Sequence, residues 1–507
     1  MAAPPPNASP LCLAIDLGSS SVKCVVVDGR GRQRGSASSA WRPLSPPDVA
    51  PYGTEYPPQR SWRLIARTVR QALADAGLRG AAIAAVAVTS QREGIALLSS
   101  NGEALYLGPN TDARAFLAGQ ALDDAHGDAG YRTTGHAPSF LFAPAKLAWF
   151  RDNRPAIHAR VRHVLPLDAW GAWMLTGALA VERTAAAEIG LLDIAANTWA
   201  TALLQRLDVP AALLPPLTDA GQRIGGVTPA AARTTGLTAG TPVIAAGPDT
   251  QCGLLGMGVT EPGQVGIVAG WSAPLQAVVS GYTLDERGRT WSSRHLLPSR
   301  YVIEANTTEA GAAYRWLSQT IASASTDAAI DRLASREAPG AGGVLAFLGP
   351  RAGDMRDLGP RWGGLLFPVP LSAAPATPGK LFRAALENFA FAVRANLGLL
   401  REITGSSPAA PHFGGGMARC ATLSRIVADV TATAVLRYHR HEVTALGAAM
   451  CAAVGAGAYP DLASASTAMT PRPARLRPDP LRSLEYRDLY QRWLATGQGL
   501  ENVRDTL

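Results

Sequence analysis

Between Leu11 and Asp28 the chain reads Leu-Cys-Leu-Ala-Ile-Asp-Leu-Gly-Ser-Ser-Ser-Val-Lys-Cys-Val-Val-Val-Asp. Two apolar, largely β-branched runs flank a turn made of Gly18 and three serines, a pattern that predicts a β-hairpin. The turn offers backbone N–H groups, hydroxyls and one carboxylate, Asp16. Amides in a small-residue turn can cradle phosphate oxygens, and a carboxylate beside them can hold Mg²⁺ through water. A plain core hairpin with a serine-rich turn is the other reading of the same residues. Val265 to Val278 repeats the pattern of strand, small-residue turn and strand. The repeat predicts a duplicated architecture, although the two halves share little sequence.

A chain of 507 residues has room for two or three domains, each with its own core. Apolar residues make up 47% and charged residues 17%, as in globular proteins. The formal net charge of +8 comes almost wholly from arginine, because lysine occurs only at 23, 146 and 380. Those arginines are scattered, whereas a nucleic-acid interface calls for a basic patch or stripe. No apolar run reaches the roughly 18 residues that span a bilayer. The five cysteines lack metal-ligand spacing and fit a reducing compartment. Met1 to Pro10 lacks the charged and apolar regions of a signal peptide. The expectation is a cytoplasmic protein with neither nucleic-acid nor membrane partners.

Further along, Ser61 to Leu78 has helical spacing, with Ser61 as N-cap. Ile83 to Thr89 reads as a buried strand ending in Gln91-Arg92-Glu93, a polar cluster where α/β sheets place ligand contacts. Solvation of a strand end is the plainer alternative. Asp112, in the loop from Gly108 to Arg114, can cap a helix, hold a substrate hydroxyl, or both. A second strand, Val243 to Ala246, ends at Gly247-Pro248-Asp249-Thr250-Gln251, where an acid meets a helix N-terminus. That position suits chemistry, and it equally suits an N-cap. His412 to Gly416 ends a strand in consecutive glycines, which lets a flat ligand approach the backbone. Glu442 to Ala449 opens a small-residue helix able to pack tightly beneath it. From Pro471 the chain is basic and Pro-rich, with a short helix near Leu484 to Leu494.

Taken in order, these segments resemble the FGGY carbohydrate kinases, the group holding glycerol kinase and xylulokinase. Asp16 to Lys23 is similar to the family's first phosphate loop. Gln91-Arg92-Glu93 resembles the glycerol kinase substrate motif, and Arg92 to Gly94 with Asn110 to Arg114 resembles the autoinducer-phosphorylating members. Gly247-Pro248-Asp249 matches the segment carrying the catalytic aspartate. Gly415 to Arg419 and Glu442 to Ala449 match the adenosine-side signature. Three places depart from the pattern: Trp271 in the second phosphate loop, Cys420 after Arg419, and the lack of the xylulokinase Met-His-Gly motif, which argues against D-xylulose.

The resemblance implies an α/β protein of two ribonuclease-H-like, actin-like ATPase domains around a deep cleft. It implies ATP-dependent phosphorylation of a hydroxyl on a sugar, polyol or related small carbohydrate, with ATP and Mg²⁺. Asp249 would be catalytic, and Asp16 would hold the metal. Arg92, Glu93, Asp112 and Gln251 would bind substrate. Gly18, Ser19, Ser20, Lys23, Gly270, Ser272, Gly415, Gly416 and Met417 would bind nucleotide. The expected division is a disordered start (1–10), a sugar-binding domain (11–242), a nucleotide-binding domain (243–470) and a tail (471–507). A homodimer is compatible with the family. The alternative is a catalytically weak nucleotide- and sugar-binding regulator of the same fold, favoured by Trp271; sugar-independent hydrolysis by an ATPase or phosphatase is a weaker third.

Overall fold

The computed structural model describes residues 10–322, 325–359, 361–372, 375–440 and 442–504. The start expected to be disordered lies outside these residues except for Pro10.

The opening hairpin forms as expected, with Leu11–Leu17 antiparallel to Ser21–Asp28 and Asp16 opposite Lys23. It lies inside a six-stranded sheet. Gln33–Ala40 pairs with the hairpin on one side, and Ile83–Ser90, Pro242–Pro248 and Arg223–Gly226 follow on the other. The contacts of Leu11–Leu17 with Ile83–Ser90, and of Ile83–Ser90 with Pro242–Pro248, are parallel. A second sheet repeats the plan. Val265–Val268 and Pro274–Val279 form the hairpin, and Tyr301–Asn306 extends it. His412–Gly414 and Val435–Arg437 add in parallel, and Ala474–Leu476 closes the edge antiparallel. Trp291–Arg294 is an extra strand beside Tyr301–Asn306. The duplication is thus carried by strand order and direction.

Side-chain alternation along Leu11–Leu17 divides its residues between two cores. Leu13, Ile15 and Leu17 pack with helices Pro58–Asp75 and Leu167–Thr176. Cys12 and Ala14 point the other way, toward helix Val443–Gly455. Asp16 shares their parity, so it lies on the face of that helix. The small residues of Val443–Gly455 let it approach closely, as the composition predicts. It crosses helix Asp249–Gly256 so tightly that a Cβ on Gly447 would lie 1.9 Å from the Cys252 carbonyl oxygen, and one on Gly256 2.1 Å from that of Val443. The N-termini of both helices therefore converge beside Asp16.

Four expectations need correction. The division after residue 242 cuts strand Pro242–Pro248 away from the first sheet, where it pairs with Ile83–Ser90. Ser61 is not an N-cap: the helix starts at Pro58, and the buried Ser61 hydroxyl accepts a hydrogen bond from the Trp41 indole at 3.1 Å. The C-terminal helix runs over Pro480–Arg504, far longer than expected. The boundary at 471 also cuts this helix from the second lobe, in whose core Tyr486, Leu489 and Trp493 are buried.

Candidate active site

A cavity of about 1720 Å³ opens between the two lobes. Its walls are the strand ends and turns singled out above: Asp16, Gly18, Ser19, Ser20 and Lys23 from the first hairpin, Gly270, Trp271 and Ser272 from the second, Arg92 and Glu93, Asp249 and Thr250, and Gly415 and Gly416.

Asp16 and Asp249 reach this cavity from neighbouring elements of the first lobe. Burial pushes the Asp16 carboxyl up to about 7; the charge of Lys23 opposes that, and Asp249 and Glu442 add to it. Burial likewise pushes Asp249 up to about 6, against the pull of Arg92. Burial is thus the leading cause for both acids, and the nearby Asp249 charge adds to the rise at Asp16. One Asp16 oxygen, Oδ1, is buried without a hydrogen-bond partner. Lys23 Nζ lies 2.9 Å from Glu442 Oε2, and Arg419 pairs with the same carboxylate. Glu442 precedes helix Val443–Gly455, so the Lys23 pair ties its start to the first hairpin and the Arg419 pair ties it to the glycine-rich turn.

On the glycine-rich side, the Ala269 N–H donates to the Gly414 carbonyl at 2.9 Å and the Met417 N–H to that of Ala269 at 3.1 Å. The two loops are thereby stitched together. Gly415 has φ +90°, and a Cβ there would meet the Ala269 oxygen at 2.5 Å, so the turn requires glycine. Nothing lies within 4 Å of a Cβ built on Gly270 or Gly416, which leaves open space for a flat ligand.

The opposite end is a dense ionic network. Glu93 is held in the left-handed region (φ 57°), and the fully buried Lys146 donates to its carbonyl at 3.0 Å. Burial lowers the Lys146 ammonium to about 8. Arg92 forms a bidentate pair with Glu304 of the second lobe, at 2.5 and 2.8 Å, and lies 3.3 Å from Glu188. Its third carboxylate, Glu93 Oε1, is 3.6 Å away, and Trp291 stacks against the guanidinium at 5.5 Å. Burial pushes Glu93 up to about 8, against Arg92.

Three of the expected site residues do not line this cavity. Asp112 is completely buried and accepts hydrogen bonds from the Tyr106 hydroxyl, the Thr54 N–H at 2.9 Å and Arg114 Nε at 2.8 Å. It shapes its loop and offers nothing to a ligand. Gln251, also fully buried, donates to Glu188 at 2.7 Å. Met417 packs against the core of the second lobe. Sequence reasoning missed Glu188, Gln276, Trp291 and Glu304. A signal for three of them existed: Trp291, Glu304 and Gln276 stand opposite one another on adjacent strands, two of them polar residues in buried strands.

The FGGY family of carbohydrate kinases matches this chain twice, its N-terminal domain over residues 11–256 and its C-terminal domain over 273–456. Autoinducer-2 kinase of Salmonella typhimurium is 32% identical over 506 residues, covering 96% of this chain and 94% of its own. The protein of the same name from Escherichia coli K12 is 31% identical over 511 residues, with 96% and 94% covered. Among solved structures, xylulose kinase from Rhodospirillum rubrum superposes with a TM-score of 0.81 at 25% identity, covering 97% and 99% of the two chains. Plasmodium falciparum glycerol kinase with ADP shares the fold at a TM-score of 0.79 and 16% identity, covering 97% and 98%.

Proposed function

The chain belongs to the FGGY family of carbohydrate kinases, and from that premise we propose how its cleft transfers a phosphoryl group from ATP to a sugar hydroxyl. Asp249 is the base: it accepts the proton as the alcohol oxygen attacks the γ-phosphorus in line. Glycines 415 and 416 flank the nucleoside, and the turns at 18–20 and 270–272 face the phosphates. Arg92 and Glu93 border the sugar, with Trp291 as an apolar wall. The transition state is loose, so positioning and charge neutralisation supply most of the acceleration.

Asp16 fits a Mg²⁺ site. Its Oδ1 is buried and without a partner, and its carboxyl is pushed up by burial beside Asp249. Among the described residues no group of three or more acidic, His or Cys side chains could cage a metal. That suits Mg²⁺, which keeps several waters and takes oxygens from one or two carboxylates and substrate phosphates. When bound, the ion would offset charge on the transferred phosphates. Among the described residues no helix is long and apolar enough to cross a membrane; use of ATP supports a cytoplasmic location.

The relatives named autoinducer-2 kinase support an acceptor like autoinducer-2 among the sugars, polyols and related small carbohydrates. The observation that carries the reading is the convergence of Asp16 and Asp249, both pushed up by burial, on one cavity between two hairpin turns. Asp249→Asn lowers kcat by at least about 10²-fold, the scale of positioned proton transfer, while ATP binding by calorimetry stays near that of the parent. Near-normal turnover in this variant removes Asp249 from the role.

A further inference from the structure

Glu304 stands on the second lobe, 212 positions from Arg92 in the chain, and its carboxylate is saturated. It accepts both terminal nitrogens of Arg92, Gln276 Nε2 at 2.8 Å and Asn306 Nδ2 at 3.1 Å. Glu304 is 2% exposed and does not line the cavity, whereas Arg92, Trp291 and Asn306 do. On the first lobe, Glu188 approaches the same guanidinium at 3.3 Å and is itself held by Gln251 at 2.7 Å and faced by His136 at 3.5 Å. Arg92 is the cation that acts on Asp249, and the charges of Glu188 and Glu304 act on Asp249 in the opposite sense.

We propose that Glu304 is a specificity-determining positioning residue: by holding Arg92 in a pair across the two lobes, it withholds that cation from the substrate and makes the sugar end accept neutral, hydroxyl-rich molecules while refusing sugar acids. The inference rests on the reading that the Asp249 end of the cleft holds the sugar.

The charge balance carries it. Of Arg92, Lys146 and His136 only Arg92 lines the cavity, Lys146 donating to the Glu93 carbonyl and His136 facing Glu188; that one guanidinium faces Glu93, Glu188 and Glu304, with Asp249 alongside. A sugar acid bound with a hydroxyl on Asp249 would add a further negative charge to this set. Its natural partner, a bidentate arginine fork, is already taken. Hydroxyl groups fit better, because Glu93, which lines the cavity, has a buried acceptor oxygen, Oε1, with no hydrogen-bond partner, and a hydroxyl can donate to it. Like-charge contacts of this kind discriminate strongly between partners. Because Glu304 acts through Arg92 and touches no substrate, its removal should change which substrate is chosen more than it changes the fold.

The test is ATP-dependent ADP release over matched pairs that differ only in a terminal CH₂OH or carboxylate: glycerol and glycerate, erythritol and erythronate, xylitol and xylonate, sorbitol and gluconate. The parent enzyme should prefer the neutral member of each pair it uses by at least about 10²-fold in kcat/KM. Glu304→Gln, nearly isosteric, should compress that ratio at least tenfold by freeing Arg92, with a lower kcat/KM on the neutral member. Should Glu304→Gln fail to fold by thermal melting, Glu304→Asp, whose shorter side chain draws the carboxylate back from the guanidinium, should move the ratio the same way. A parent that prefers the acids, or a ratio unchanged within twofold in the folded variants, overturns the inference and leaves the kinase reading standing. Absence of sugar-dependent ADP release for neutral and acidic members alike overturns both.

Discussion

Gly447→Ala tests whether the crossing of helices Asp249–Gly256 and Val443–Gly455 sets the catalytic geometry. The added Cβ would stand 1.9 Å from the Cys252 carbonyl oxygen, about 1.5 Å short of the 3.4 Å at which ordinary contact begins. The obstacle is backbone, so the helices themselves have to part. Overpacking of a filled core costs about 1–3 kcal/mol, and exchanging a helical glycine for alanine returns at most about 1 kcal/mol. The net loss is about 1–2 kcal/mol. For a lobe the size of residues 11–256, an unfolding entropy of about 2.1 cal/mol/K per residue converts this into a fall in melting temperature of about 2–4 °C. The effect on rate is larger. The helices begin at Asp249 and just after Glu442, and a misplacement of about 1 Å at a reacting group can cost about 10²-fold. Thermal melting and sugar-dependent ADP release measure the two effects. Gly398→Ala is the control: it lies inside helix Pro378–Thr404, and nothing is within 4 Å of its added Cβ, so its melting temperature should hold or rise. A Gly447→Ala enzyme with unchanged kcat/KM and a melting temperature at or above the parent's would refute the packing argument.

Two further outcomes concern the buried acids. Asp112→Ala leaves Arg114 buried without its closest carboxylate, so unfolding in urea should show a loss of about 3–5 kcal/mol; a variant as stable as the parent would contradict the structural role given to Asp112. Glu188 should impose a pH signature on stability. Burial raises its carboxyl, but Arg92 first, then His136 and Ser293, outweigh burial and hold it at about 2, below the usual 4.5. Its contribution is therefore fully present above pH 4.5 and is lost as pH falls through 2. The stability gap between the parent and Glu188→Gln should be widest above pH 4.5 and shrink by about 2–4 kcal/mol toward pH 2; a gap independent of pH would contradict the assignment.

Much of the cleft was legible in local sequence because its turns depend on local chemistry. Glycines and serines after an apolar strand announce the turns at 18–20, 270–272 and 415–416, and each lies on the cavity wall. An acid where strand meets helix announces Asp249, and the alternation of Leu11–Leu17 places Asp16 on the face of the small-residue helix. The same local logic misled at Asp112 and Gln251. Polar residues in a ligand-like loop look alike whether they face a substrate or, as here, Tyr106, Arg114 and Glu188.

What the amino-acid order determined by itself is a pair of hairpin turns, an acid at the ends of two strands, and a helix small enough in its side chains to be crossed closely. Only the tertiary structure decided which charges meet. Arg92 finds Glu188 at 96 positions' separation and Glu304 at 212, and Lys23 finds Glu442 at 419. No sequence window holds such pairs. They exist because segments of both lobes meet at the cleft, which buries carboxylates from distant parts of the chain around one guanidinium, where Gln251, Gln276 and Asn306 also hold them.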